Sequence, residues 1–217
     1  MSRRSLYILI FLIASGCCRE DCADTYIING TVENSNNGDP CVGFEIKLEE
    51  MVMEGGVLNG FYETVATTIT DASGFYYIEF PRKQALSYRI GILEDGWFPV
   101  LDEIEPNLFT PDVPFDYTII TTPKADLDIS VFNTPPSNEI DKMIVRLLKT
   151  FDEHSSCDAE WRVFIGADID TTWSCILPGN VWMPYITVDQ TDPENEITTI
   201  DSVYCTSFGQ ATINVVY

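Results

Sequence analysis

The chain is poor in cations and nearly without histidine. It has 12 Lys and Arg against 34 Asp and Glu, with one His, for a formal charge of −22. Binding to nucleic acid or to an anionic membrane surface works against this charge, and no basic cluster along the sequence offsets it, so nucleic acid is not expected as a partner. One histidine and widely spaced cysteines do not make the ligand set of a zinc site. The apolar run at residues 6–14 is nine residues long, far short of the ~20 that cross a bilayer as a helix. Phosphate loops, zincin helices and nucleophile elbows are missing, as are long segments of helical period and low-complexity tracts.

The single His154 stands in Phe151-Asp152-Glu153-His154-Ser155-Ser156-Cys157. Catalytic triads gather residues that are distant in sequence, whereas this cluster reads as a polar turn. Paired acids at Asp102-Glu103-Ile104-Glu105 and Asp192-Pro193-Glu194-Asn195-Glu196 follow from the general acidity. Nothing places either pair across a cleft, as glycoside hydrolysis requires. The expectation is a protein that is not an enzyme and carries no cofactor.

Apolar residues make up 45% of the sequence and aromatics 12%, enough to build real cores. The chain opens with Arg3 and Arg4, then the apolar run, then Ala14-Ser15-Gly16-Cys17. A basic start, a short apolar stretch and small residues form the pattern of a secretory signal peptide. Cys17 directly after small residues resembles the bacterial lipoprotein signal. That resemblance implies cleavage after residue 16 and a palmitate-type acyl anchor on Cys17, with location at the outer membrane on its periplasmic or cell-surface face. Residues 17–23 would form a tether. Loss of Arg3 and Arg4 with the signal moves the formal charge from −22 to −24.

Exported chains form disulfides. With Cys17 acylated, Cys18, Cys22, Cys41, Cys157, Cys175 and Cys205 remain. Cys22 and Cys41 could staple the tether to the first domain. One pair is expected among Cys157, Cys175 and Cys205, and the sequence does not choose it.

Alternation of period two recurs along the chain. Residues 26–32 and 44–48 read as strands. Tyr76, Ile78 and Phe80 share one face of another; Tyr88, Ile90 and Ile92 do the same, and so do Phe115, Tyr117 and Ile119. Turn signals separate them at Asn36-Asn37-Gly38-Asp39-Pro40, Asp71-Ala72-Ser73-Gly74 and Glu94-Asp95-Gly96. Thr121-Thr122-Pro123-Lys124 reads as a linker. Beyond it, Leu127, Ile129 and Val131 alternate with polar residues. Residues 143–148 favour a strand, and Trp161, Val163 and Ile165 form one face of the next. Residues 182–188, 197–205 and 211–217 complete the set. The fold class expected is all-β: two tandem Ig-like or transthyretin-like sandwiches at 24–122 and 123–217 after the signal peptide and short tether.

Residues 26–92 resemble the carboxypeptidase-regulatory-like, or transthyretin-like, β-sandwich family. The matching pieces are Ile28-Asn29-Gly30-Thr31-Val32, Gly38-Asp39-Pro40-Cys41-Val42-Gly43-Phe44-Glu45-Ile46 and Thr68-Ile69-Thr70-Asp71-Ala72-Ser73-Gly74-Phe75-Tyr76-Tyr77. An insertion at residues 49–62 departs from the family and reads as an extended hairpin. The resemblance implies an accessory role, spacing or binding beside another protein, and a fold alone assigns no function.

Binding candidates are few. Asp168 and Asp170, with Asp189 and Asp192, are oxygen-rich loop positions for Ca²⁺, although neither set has EF-hand spacing. Trp173, Trp182 and Tyr185 could serve as stacking platforms for a glycan or as core. One of Trp182 and Tyr185 should face outward. Trp97-Phe98-Pro99 reads as a binding tip or a strand start. The leading expectation is a lipid-anchored accessory or interaction module of an outer-membrane or surface protein complex. The alternatives are a glycan-binding lipoprotein of a nutrient uptake system, or a fimbrial or adhesin subunit that donates residues 211–217 as a strand.

Overall fold

The computed structural model describes residues 25–54, 57–58, 60–81, 85–151 and 155–217. Cys17, Cys18, Cys22 and His154 lie outside the described residues. The fold is all-β, built as two sandwiches, each around its own core. Among the described residues no helix is long and apolar enough to cross a membrane.

The first sandwich contains β1 (Thr25–Asn34), β2 (Glu45–Glu54), β3 (Val57–Leu58), β4 (Glu63–Ile69), β5 (Phe75–Pro81), β6 (Ala85–Ile92), β7 (Val100–Ile104), β8 (Pro114–Asp116) and β9 (Ile119–Thr121). One sheet joins β5, β1, β8 and β9; the other sets β4 and β3 on β2, followed by β6 and β7. Alternation places Tyr76, Ile78 and Phe80 of β5 and Tyr88, Ile90 and Ile92 of β6 in the core, as their spacing predicts. Phe80, Tyr88 and Phe109 meet edge to face at 5.2–5.3 Å between ring centroids, the arrangement that aromatic quadrupoles favour. The insertion at 49–62 extends β2 and turns back as β3.

The strand expected through Phe115, Tyr117 and Ile119 is broken into β8 and β9. Both run parallel to β1 in one register. Between them the backbone of Tyr117 closes on Gly30, where a Cβ would stand 1.8 Å from the Tyr117 carbonyl oxygen. The Tyr76 hydroxyl donates to that same oxygen at 2.6 Å. In the turn before β5, the Asp71 carboxylate accepts from the backbone N–H groups of Ser73 and Phe75 and from the Ser73 hydroxyl. Gly74 supplies φ +74 there, a conformation costly for a side chain with Cβ.

The second sandwich contains β10 (Lys124–Phe132), β11 (Lys142–Leu147), β12 (Arg162–Ile165), β13 (Asp170–Pro178), β14 (Val181–Asp189), β15 (Ile197–Cys205) and β16 (Gln210–Val216). Its sheets are ordered β13-β10-β16 and β12-β11-β14-β15. Leu127, Ile129 and Val131 meet Met143, Val145 and Leu147 in the core.

The expected linker at 121–124 is held on both sides. The Thr121 hydroxyl donates to the Phe98 carbonyl and the Lys124 N–H to the Gly96 carbonyl. From the second sandwich, the Gly179 and Phe208 N–H groups donate to the carbonyls of Pro123 and Lys124. Backbone polarity left in a short junction must be paired, so the connection is stiffened.

Candidate interaction face

Four strands set the geometry of one outward surface. Opposed residues of neighbouring strands project to the same side of a sheet. In β12-β11-β14-β15, Ile144 lies opposite Val163 and Val188, Arg146 opposite Ile186, Ile186 opposite Ile200, Pro184 opposite Ser202 and Trp182 opposite Tyr204. All of these face away from the core, whose side of the sheet is taken by Met143, Val145, Leu147 and Met183. Trp161, Val163 and Ile165 share a face as their spacing predicts, but the face is outward: they are 51%, 51% and 58% exposed. Phe164 of β12 packs inward, stacked on Trp173 at 5.8 Å. Period two reports that residues share a side; on an edge strand it does not say which side is wet.

Two features distinguish this surface within so acidic a chain. First, each of the four strands contributes apolar side chains to it, and it carries rings at both ends. Trp182 is 60% exposed and lies 5.3 Å from Tyr204, while Trp161 lies under the Arg146 guanidinium at 5.0 Å. Second, none of the outward positions on these strands is Asp or Glu, and the charges present are Lys142 and Arg146. Arg146 donates its Nε–H to the Ala159 carbonyl at 2.7 Å, and no carboxylate pairs with Arg146 or Lys142 among the described residues. The Arg146 Nη groups therefore remain available as a fork of donors for an incoming acceptor.

The residues expected to carry function are dispersed. Trp182 faces out and Tyr185 faces the inner side, with its hydroxyl 3.5 Å from Asp201. Trp173 is half-buried, with Arg162 over its ring at 4.9 Å. Trp97 is neither a binding tip nor a strand start; it packs between Phe44 and Phe208 at the junction of the sandwiches. For the Ca²⁺ candidates, no group of three His, Cys, Asp or Glu side chains converges among the described residues. Asp168 and Asp170 are exposed at the start of β13. Asp189 and Asp192 spend an oxygen each on the N–H groups of Thr191 and Glu194. These bonds cap the turn that follows β14.

Cys157 and Cys175 form the disulfide of the last third. Cys205 is a buried thiol, raised by desolvation. Cys41 is also a buried thiol, and Cys22, its expected partner, lies outside the described residues. Burial, helped by Asp39 and Glu33, pushes Cys41 up to about 11, so its reactive thiolate is scarce at neutral pH. Strand β16 is not free for donation. It pairs with β10 over seven residues and buries Ala211, Ile213 and Val215 in its own sandwich.

A second concavity lies in the first sandwich. An open groove of about 580 Å³ runs beside β7 and β9, lined by Pro99, Leu101, Asp102, Thr118 and Ile120. Its carboxylate is already engaged, since Asp102 accepts from the Tyr117 hydroxyl at 2.8 Å. Burial, then that bond and the charge behind it, push the Tyr117 phenol up to about 12.

Among known proteins, no family model and no curated protein matches the sequence. The chain shares an all-β build with several solved structures. The Bacillus anthracis TIE protein aligns over 89% of this chain and 34% of its own, at 8% identity and TM-score 0.38. The chain thus spans about a third of that protein. Shaft pilin SpaA from Lactobacillus rhamnosus GG aligns over 88% and 97%, at 8% identity and TM-score 0.36. A streptococcal ancillary pilin aligns over 91% and 63%, at 12% identity and TM-score 0.37.

Proposed function

We propose that the protein is a non-enzymatic, lipid-anchored module of the outer membrane. Its working surface is the outer face of β12-β11-β14-β15, and its partner is another protein of the envelope. The observation that supports this most is the composition of the face. Protein interfaces are enriched in Trp, Tyr and Arg at their centres and depleted of Asp, Glu and Lys. Here two tryptophans, a tyrosine and an arginine surround Ile144, Ile186 and Ile200, with carboxylates excluded. Strand spacing makes the face roughly 20 Å on a side, on the order of 400 Å² in projection, in the range of the largest exposed patch on a typical monomer, which is often functional. The anchor rests on Arg3, Arg4, the apolar run at 6–14 and Cys17.

The test is capture from intact cells with native Cys17 and a tag after residue 217, followed by mild detergent extraction and mass spectrometry. A stoichiometric envelope protein, lost with Trp182→Asp and retained with Phe61→Asp on the first sandwich, is the expected result. Capture that ignores both Trp182→Asp and Ile144→Asp would overturn the assignment of the face. Turnover of a defined substrate by the purified chain would overturn the non-enzymatic reading.

A glycan is the second reading, favoured by the exposed Trp182–Tyr204 pair and by Trp161 beneath Arg146. Rings of this kind stack on sugars, and a guanidinium fork suits a uronate carboxylate. The aliphatic bed between the rings weighs toward protein. Binding to an acidic polysaccharide in an array, abolished by Trp182→Ala, would reverse that order. A fimbrial or adhesin subunit remains a third reading, with assembly through some element other than β16.

A further inference from the structure

The sheet that carries this face ends on β15, which is hydrogen-bonded to β14 alone. The pairing is regular for nine residues, from Val181↔Cys205 to Asp189↔Ile197, with no bulge. Natural edge strands are blunted by lysine, proline, bulges or shortness, because an open row of N–H and C=O groups invites another strand. Strand β15, Ile-Thr-Thr-Ile-Asp-Ser-Val-Tyr-Cys, has none of these devices. Its one charge, Asp201, lies on the inner side of the sheet beside Tyr185, a single inward charge that disfavours any added strand unable to give it a polar partner.

We propose that β15 pairs antiparallel with β15 of a second copy of this chain, about a twofold axis through Ile200, and so joins two four-stranded sheets into one of eight strands. A twofold axis perpendicular to the sheet keeps both apolar faces on one side. Because side chains alternate, that axis must pass through a residue. Centred on Ile200, the strand matches itself. Ile200 meets Ile200, Thr198 meets Ser202, Ile197 meets Val203, and Asp201 meets the Thr199 hydroxyl. Moving the axis to Asp201 sets two carboxylates against each other. At Thr199 it sets Asp201 against Ile197, and at Ser202 it sets Asp201 against Val203. Cross-strand pairs of like chemistry stabilise a sheet and opposed like charges destabilise it, so one register is selected.

Charge points to the same place. Two chains of formal charge −22 repel, and β15 brings one carboxylate per nine residues, each facing a hydroxyl. The strand is about 30 Å long. Contact along one strand edge is narrower than the interfaces of about 1,200 Å² and more that hold stable complexes, so the dimer forms and dissociates with concentration.

The experiment is sedimentation velocity on the full chain in mild detergent over about a hundredfold concentration range, with cross-linking as a readout of register. A concentration-dependent dimer is expected, weakened about tenfold or more by Ile200→Lys, which sets two ammonium groups opposite each other. Ile200 is 68% exposed, so that variant keeps the thermal midpoint of the parent. On mild oxidation Ile200→Cys should give a disulfide-linked dimer beyond that of the unsubstituted chain. Thr198→Cys should not, and Thr198→Cys combined with Ser202→Cys should. A monomer at every concentration overturns the proposal. So does a dimer indifferent to Ile200→Lys, or equal cross-linking by the two single cysteine variants. None of these results bears on the Trp182→Asp capture.

Discussion

Trp97 of the first sandwich lies edge to face against Phe208 of the second, with ring centroids 5.3 Å apart. The same tryptophan packs on Phe44 at 5.2 Å, so one ring touches the first core and the neighbouring sandwich. Around it, backbone hydrogen bonds run from Gly179 and Phe208 to residues 123–124, and the Asn36 side chain donates to the Gly179 carbonyl. A short junction with its polar groups paired and a ring wedged into it transmits orientation from one sandwich to the other.

Removing that ring should loosen the joint. Trp97→Ala is expected to cost about 2 kcal/mol, below the range for fully buried tryptophan because Trp97 is half-buried. Calorimetry of the full chain should show the thermal transition shift down and separate into two. Gly96→Ala should act in the same direction. Its Cβ would approach the Phe208 ring to 3.1 Å, and Gly96 sits at φ +75.

Gly30→Ala should unfold the first sandwich selectively. The added methyl would stand 1.8 Å from the Tyr117 oxygen, a backbone atom that cannot rotate away. Overpacking of this kind costs about 3 kcal/mol, and here it also strains the β1–β8 ladder and the Tyr76 hydrogen bond. Hydrogen exchange should show lost protection in β1, β5 and β8 and unchanged protection in β10 and β16. Uniform protection across both sandwiches would refute the steric account.

Reduction should weaken only the second sandwich. The Cys157–Cys175 bond closes a loop of sequence separation 18, for which chain entropy predicts about 3 kcal/mol. The double variant Cys157→Ser with Cys175→Ser should lower the midpoint of that sandwich by the same amount as reductant. Cys41 and Cys205 should resist alkylation by a thiol reagent until the chain unfolds, since both are buried and both thiols are raised by desolvation.

Acid should loosen the turn before β5. Hydrogen bonds from Ser73, then from the Phe75 N–H, hold the Asp71 carboxyl below the usual carboxylate range. A folded value below the unfolded one means the contribution is present at neutral pH, begins to fade below the unfolded value, and is gone once pH falls through the folded value. Asp71→Asn should therefore remove part of the acid dependence of stability below pH 4 or so while leaving its slope near neutrality unchanged. A stability profile for the variant that runs parallel to the parent down to strong acid would count against it.

Much of the architecture was legible from alternation. Tyr76, Ile78 and Phe80 on β5, and Leu127, Ile129 and Val131 on β10, lie where period two places them. The Asp71–Gly74 turn follows from side-chain capping and a positive φ, both local properties. The break at Tyr117 was not legible, because it depends on a carbonyl lodging against Gly30, far away in sequence. The interaction face was half legible. Trp161, Val163 and Ile165 are evident as a set, as are the strand segments at 143–148 and 182–188, with one of Trp182 and Tyr185 facing outward. The signal for an exposed surface was that the outward row of β14, Trp182, Pro184, Ile186 and Val188, is as apolar as a core row, in a sheet that packs on one neighbour.

What the sequence determined by itself was therefore local: which residues form strands, where turns interrupt them, the acid excess, and the signal-like start. The side of each strand that meets water, the choice of Cys175 and not Cys205 for Cys157, and the clearing of carboxylates from one four-stranded face were decided by tertiary structure. The physical reason is that alternation is a property of one strand, whereas burial and register depend on which strands lie next to it and above it.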